Sequence, residues 1–157
     1  MKEVFSVIIL HYNQPDYLYT AIDSVLAQSY PAIQLIFSDD GSLDFSVENI
    51  ERYIHEKKQK NIIDFKVIRH QKNVGTVKNL NEAYSQCIGK YVLQFAADDA
   101  LYDSEVLAQF SRALNNVSKE TIGVFARSLD CDENLVWTGK EYLAPDKAEY
   151  FSLLTAE

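Results

Sequence analysis

The chain has 157 residues, 47% of them hydrophobic and 24% charged, which is enough for one domain with a substantial core and too few for two comfortable ones. A formal net charge of -8 argues against nucleic acid as a partner, because a polyanion is gripped through clustered Lys and Arg. Cys87 and Cys131 show no metal-ligand spacing and point to a reducing, cytoplasmic setting. The N-terminal apolar run of about seven residues is far below the roughly 20 that cross a bilayer, so no membrane segment is expected in this chain.

Val4 to Leu10 is β-branched and apolar on both faces, as a central parallel strand buried between helical layers should be. Leu18, Ala21, Ile22, Val25 and Leu26 then recur at helical spacing behind Pro15, which suits a first turn. Ile33 to Ser38 reads as a second strand, ending at the turn-forming Asp39-Asp40-Gly41-Ser42. A charged helix follows over Ser46 to Lys60, then a strand over Asp64 to His70. The next helix is expected to bury Val77, Leu80, Tyr84 and Cys87 and to close at Gly89. Tyr91 to Ala96 is a fourth strand, and Ser104 reads as the N-cap of a helix burying Val106, Leu107, Phe110 and Leu114. Beyond Ile122 the pattern changes to two strands about the turn at Cys131 to Asn134 and a short helix over Asp146 to Leu154. Strands alternating with helices make right-handed βαβ units, so the fold class is α/β, a doubly wound, mostly parallel sheet with helices on both faces.

In such a sheet the C-terminal ends of the strands share one edge, where ligands bind at the switch in strand order. His11-Tyr12-Asn13, Asp39-Asp40-Gly41-Ser42 and Asp98-Asp99 all emerge there. Each alone reads as a turn, a helix entry or a solvated loop; their convergence favours a cation or a hydroxyl-rich ligand. Paired carboxylates without a nearby His or Cys are hard oxygen donors, suited to Mg²⁺ or Mn²⁺ rather than zinc. A divalent ion between carboxylate and phosphate reverses the local sign, which makes a nucleotide diphosphate a reasonable ligand.

The ordered stretches SVIILHYNQPDYLYTAIDSVLAQSYP, IQLIFSDDGSLD and NVGTVKNLNEAYSQCIGKYVLQFAADD closely resemble the family 2 glycosyltransferases of the GT-A fold, over about Val4 to Asp103. The resemblance implies a Rossmann-like domain that uses a nucleotide-sugar donor, usually a UDP-sugar, and a divalent metal. It implies transfer with inversion to an acceptor hydroxyl, on a saccharide, a lipid-linked carrier or a protein, in polysaccharide or glycoconjugate synthesis. By position, Leu10, His11 and Tyr12 should border the base and Asp40 should accept a hydrogen bond from the uracil. Lys78 or Asn79 would approach the nucleotide. Asp98 and Asp99 match the DXD-type element, with Asp98 near the ribose and Asp99 on the metal.

This sequence departs from the family pattern in three places. Leu10-His11 stands where Pro-Thr or Pro-Ser is common, and Ala96 stands where many members carry a further Asp. The catalytic base usually lies downstream, so it is expected beyond Glu157, with residues 1–157 forming a single GT-A domain truncated before the acceptor-binding half. Asp130, Asp132, Glu133 and Glu141 come too early for that role, and Trp137 carries little weight as a sugar-binding wall. Attachment to the inner face of a membrane would rest on parts outside this chain. The alternatives are a nucleotide-sugar-binding module without catalysis and, less well matched, a receiver-like signalling domain, whose acidic pair follows its first strand.

Overall fold

The computed structural model describes residues 3–118 and 120–142. The chain divides into two compact units, Met1–Ser111 and Arg112–Glu157. The first carries four strands, β1 (Phe5–His11), β2 (Ile33–Asp39), β3 (Ile62–Arg69) and β4 (Tyr91–Ala96), separated by α1 (Leu18–Leu26), α2 (Val47–Lys57) and α3 (Thr76–Ser85). All strand pairs are parallel, in the order β3-β2-β1-β4. The expected α/β architecture is therefore present. The order reverses between β1 and β4, which makes their C-terminal ends the switch point.

β1 and β2 are apolar on both faces because helices cover both; Val7, Ile8, Ile9, Leu35, Ile36 and Phe37 are fully buried. On α1 the stripe Leu18, Ala21, Ile22, Val25 and Leu26 is buried as its spacing predicts. α2 begins where Ser46 caps it, the Asn49 N–H donating to Ser46 Oγ at 3.2 Å.

Two expectations for the helices are corrected. On α3 the buried residues are Asn79 and Ala83, with Leu80 and Cys87 packed beside them, whereas Val77 is 74% exposed and Tyr84 is also exposed. The helix leans on β1 and β2, and β4 is the last strand of the sheet among the described residues. At the entry to α4 (Val106–Asn115), the Asp103 carboxylate rather than the Ser104 hydroxyl takes a backbone amide, that of Glu105, at 2.8 Å. α4 ends at Asn115 as read, with Leu107 fully buried and Val106, Phe110 and Leu114 partly so.

In the second unit, β5 (Ser128–Cys131) pairs antiparallel with β6 (Trp137–Tyr142). The Asp132 carboxylate holds the turn between them, accepting the Asn134 and Val136 amides at 2.9 Å each. The helix expected over Asp146 to Leu154 lies outside the described residues. Among the described residues, no helix is long and apolar enough to cross a membrane.

Candidate functional site

The strand register brings the three polar clusters together. Leu10 pairs with Ser38 on one side and Ala96 on the other, and His11 pairs with Asp39. Ala97 N–H continues the ladder to Leu10 O at 2.8 Å, and Asp40 N–H reaches His11 O at 2.9 Å. The ends of β2, β1 and β4 therefore form one continuous rim.

On the β1–β2 side the polar groups pair with one another. His11 Nδ1 and Asp39 Oδ1 are 2.8 Å apart, with the two side chains 3% and 0% exposed. Ser42 donates to Asp39 through its hydroxyl at 2.5 Å and its amide at 3.0 Å. Arg69 Nε stands 3.9 Å from the other Asp39 oxygen, and its guanidinium donates to Ser42 O at 3.2 Å. Burial pushes the Asp39 carboxyl up, but the hydrogen bonds from His11 and Ser42 more than offset it, leaving the group below its ordinary value. Gln14 N–H approaches His11 Nε2 at 3.3 Å, so both ring nitrogens are occupied. The ring packs beside the stacked pair Phe37 and Phe45, at 5.6 and 5.5 Å from their centres.

Asn13, at φ 52, turns the chain after β1, a left-handed position that Asn tolerates. Its amide donates to Ser42 Oγ at 2.8 Å, and its Oδ1 accepts from Leu43 N at 3.3 Å, tying the β1 loop to the β2 loop. A cavity of about 320 Å³ opens beside these loops, lined by Leu18, Tyr19, Phe45 and Asn49 among others. None of the residues expected at the nucleotide lines it.

Asp40 stands in the turn-forming stretch after β2, yet it is only 4% exposed. Its two carboxylate oxygens accept the amides of Val74 at 2.7 Å and Gly75 at 3.0 Å. Gly75, at φ 88, provides the backbone geometry in which consecutive amides face one carboxylate. Asn79 is likewise buried, with its amide engaged by Ser38 through Oδ1 at 2.5 Å and Nδ2 at 3.3 Å. Of the pair offered for the nucleotide on α3, only Lys78 is exposed. Leu10 is half-buried and Tyr12 is 45% exposed.

The β4 side differs. Asp98 and Asp99 are exposed, and among the described residues no Lys, Arg or His pairs with either. Partial desolvation, with the adjacent Asp98 charge, pushes the Asp99 carboxyl up. Among the described residues no group of three His, Cys, Asp or Glu side chains gathers around a metal position. Two hard carboxylates nonetheless fit Mg²⁺ or Mn²⁺, which commonly takes one or two carboxylates and completes its shell with phosphate oxygens and water. The unrelieved repulsion at Asp99 is what such an ion would remove.

Residues 6–153, most of the chain, match the family described as Glycosyl transferase family 2. The chain belongs to that family. It is 24% identical over 151 residues to the glycosyltransferase GlyG of Streptococcus pneumoniae, covering 94% of this chain and 48% of GlyG. It thus spans about half the length of that relative. S. aureus TarS in complex with UDP-GlcNAc superposes with a TM-score of 0.61 at 27% identity, over 71% of this chain and 31% of that one. The mannosyltransferase PcManGT from Pyrobaculum calidifontis, in complex with GDP-Man and Mn²⁺, shares the fold, with a TM-score of 0.66 at 19% identity over 74% and 33% of the two chains. The resemblance read from the sequence and the GT-A architecture are both borne out.

Asp39 and Ser42 stand in a rim cluster read from sequence, but their pairing with His11 was not foreseen, and Arg69 was not singled out. Neither were Ser24 on α1 and Gln28 just past its end, although Gln28 lies three residues after Val25 and continues the buried stripe. A polar residue on an apolar stripe was the available signal.

Proposed function

We propose that this chain is the nucleotide-binding part of an enzyme that transfers a sugar from a nucleotide-diphosphate sugar, a UDP-sugar, to an acceptor hydroxyl with inversion. Mg²⁺ or Mn²⁺ is held at Asp99 and Asp98. The observation that carries this reading is the uncompensated acidic pair at the strand-order switch, beside a β1–β2 rim whose own charges are already paired. A diphosphate would be repelled there without a cation between the two anions. When bound, the ion supplies Lewis-acid stabilisation of the charge that grows on the departing diphosphate.

The chain's own residues divide the remaining work. Because the His11 side chain is committed to Asp39, the base is met by the exposed Tyr12 ring and the backbone of Leu10 and His11. Asp40, through the lone pairs left by its two backbone amides, bounds the base from the β2 side. Lys78 faces the nucleotide from α3, while Asn79 serves the fold. The acceptor is a hydroxyl of a saccharide, a lipid-linked carrier or a protein. No general base is assigned among the described residues, since Asp132 is taken up by its turn.

Thermal melting in UDP alone, Mn²⁺ alone and both together tests the reading. A ligand at free concentration L that binds only the folded state stabilises it by RT ln(1 + L/Kd) and so raises the melting temperature. The reading expects the rise with both to exceed the sum of the separate rises. Additive or absent shifts would contradict it.

A further inference from the structure

The span that carries the acidic pair is anchored at both ends by α1 and β1. Ala97 N–H donates to Leu10 O at 2.8 Å, and Leu101 N–H donates to Ser24 Oγ at 3.1 Å, leaving only Asp98, Asp99 and Ala100 between the two anchors. Ser24 Oγ in turn donates to Ala21 O at 2.7 Å, so the hydroxyl is oriented from within its own helix. Gln28, 3% exposed, extends the clamp. Its Nε2 donates to Ser24 O at 3.0 Å and to Asp103 O at 2.5 Å, and its Oε1 accepts the Leu107 amide at 3.0 Å. Ser29 N–H adds a bond to Ser104 O at 2.7 Å.

Both donors and the acceptor oxygen of one buried amide side chain thus engage the helix end, the loop after the acidic pair and the first turn of α4. A buried amide on an apolar stripe is costly unless fully satisfied, and here each partner outside α1 belongs to the segment that follows Asp99. We propose that Ser24 and Gln28 are positioning residues for the cation site, setting where the Asp98 and Asp99 carboxylates stand without touching ligand. The inference rests on the cation reading given above and extends it to residues beneath the site. Groups that orient metal ligands from behind typically change metal affinity 10–100-fold when removed.

The test uses the 157-residue chain, Mn²⁺ with UDP as the probe, and two readouts. These are the Mn²⁺ dissociation constant, from the free-ion paramagnetic resonance signal, and amide exchange at Leu101 and Leu107. Gln28→Met keeps the side chain's shape and removes its hydrogen bonds; Ser24→Ala removes the Leu101 acceptor, and Ser24→Thr restores a hydroxyl. Gln34→Met is the control. Gln34 is as buried and is likewise bonded through both ends of its amide, to Ser6, Asp64, Gln86 and Ile88, but near the start of β2, at the sheet's opposite end.

The expected result is roughly ten-fold weaker Mn²⁺ binding in Gln28→Met, a smaller loss in Ser24→Ala recovered in Ser24→Thr, and faster exchange at Leu101. Gln34→Met should melt lower with its Mn²⁺ constant unchanged. The proposal is overturned if Gln28→Met and Ser24→Ala melt lower yet bind Mn²⁺ as the parent does, or if Leu101 exchange stays at the parent rate in Ser24→Ala. Should Gln28→Met fail to fold, the half-buried Ser24 pair decides alone. A parent chain that binds no Mn²⁺ with UDP refutes the underlying cation reading, and that result is visible before any variant is compared.

Discussion

His11 Nδ1 sits 2.8 Å from Asp39 Oδ1 with both side chains buried, so the ends of β1 and β2 are joined by a buried polar pair that packs beside Phe37 and Phe45. Replacing His11 with Phe fills the space and removes the partner. Breaking one side of a buried pair costs about 3–5 kcal/mol, and Ser42 remains to offset part of that, so we expect a loss near the lower end at pH 7. Urea denaturation of His11→Phe checks it; a loss below about 1 kcal/mol, the size of a surface pair, would contradict it.

The Asp39 carboxyl lies below its ordinary value in the folded chain, so its contribution to stability is present above the unfolded value and is lost as pH falls through the folded one. The parent chain should therefore lose stability through the acid range more steeply than Asp39→Asn, which has no charge to protonate. Parallel slopes in denaturant titrations across that range would count against the pairing.

Asp40 lies in a turn-forming stretch, where a solvent-facing carboxylate would make its replacement mainly a binding defect. Its carboxylate instead receives the Val74 and Gly75 amides. Asp40→Asn places an NH₂ group against one of those donors, and we expect about 1.5–3 kcal/mol of lost stability without any ligand. Unchanged melting in the ligand-free variant would contradict that expectation.

The contrast with Asp40 shows what the sequence made legible. Periodicity located the four strands, the four helices and their common rim, because buried parallel strands and amphipathic helices write their environment into every second to fourth residue. It did not reveal that Asp40 is met by amides 34 and 35 positions later, since turn chemistry is local and that contact is not. The same holds for Asn79, which looks like a helix-surface residue until Ser38 is placed beneath it. Val77 and Tyr84 were misassigned to the core because the apolar pattern cannot tell which side of a helix packs on the sheet. His11 and Asp39 were each placed on the rim, but not paired, because the strand register that sets them opposite one another is a tertiary fact.

Gly41 adds a prediction of another kind. At φ 77, a Cβ there would lie 2.4 Å from the Lys72 carbonyl carbon, so side-chain space and backbone conformation both exclude alanine. Gly41→Ala should cost about 2–4 kcal/mol, combining a left-handed non-glycine residue with overpacking against backbone. Calorimetric melting would reveal it, and a parent-like transition would contradict the close approach of the two loops.

At Asp99 the sign is reversed. Its carboxyl is raised by desolvation and by Asp98, so ionisation works against the folded state, and removing the charge relieves repulsion. Asp99→Asn should melt at or slightly above the parent while losing Mn²⁺-dependent UDP binding. In the parent, that binding should weaken on acidification earlier than an unperturbed carboxylate would cause. A variant that melts well below the parent would show Asp99 to be structural instead.

Calorimetry of UDP binding to the parent chain, in Mn²⁺ and again in EDTA, tests the central claim most directly. The account predicts a measurable heat of binding with Mn²⁺ that disappears in EDTA and is absent from Asp99→Asn under both conditions. Equal UDP affinity with and without the ion would contradict the assignment of Asp98 and Asp99 as the group that brings a diphosphate to an acidic rim.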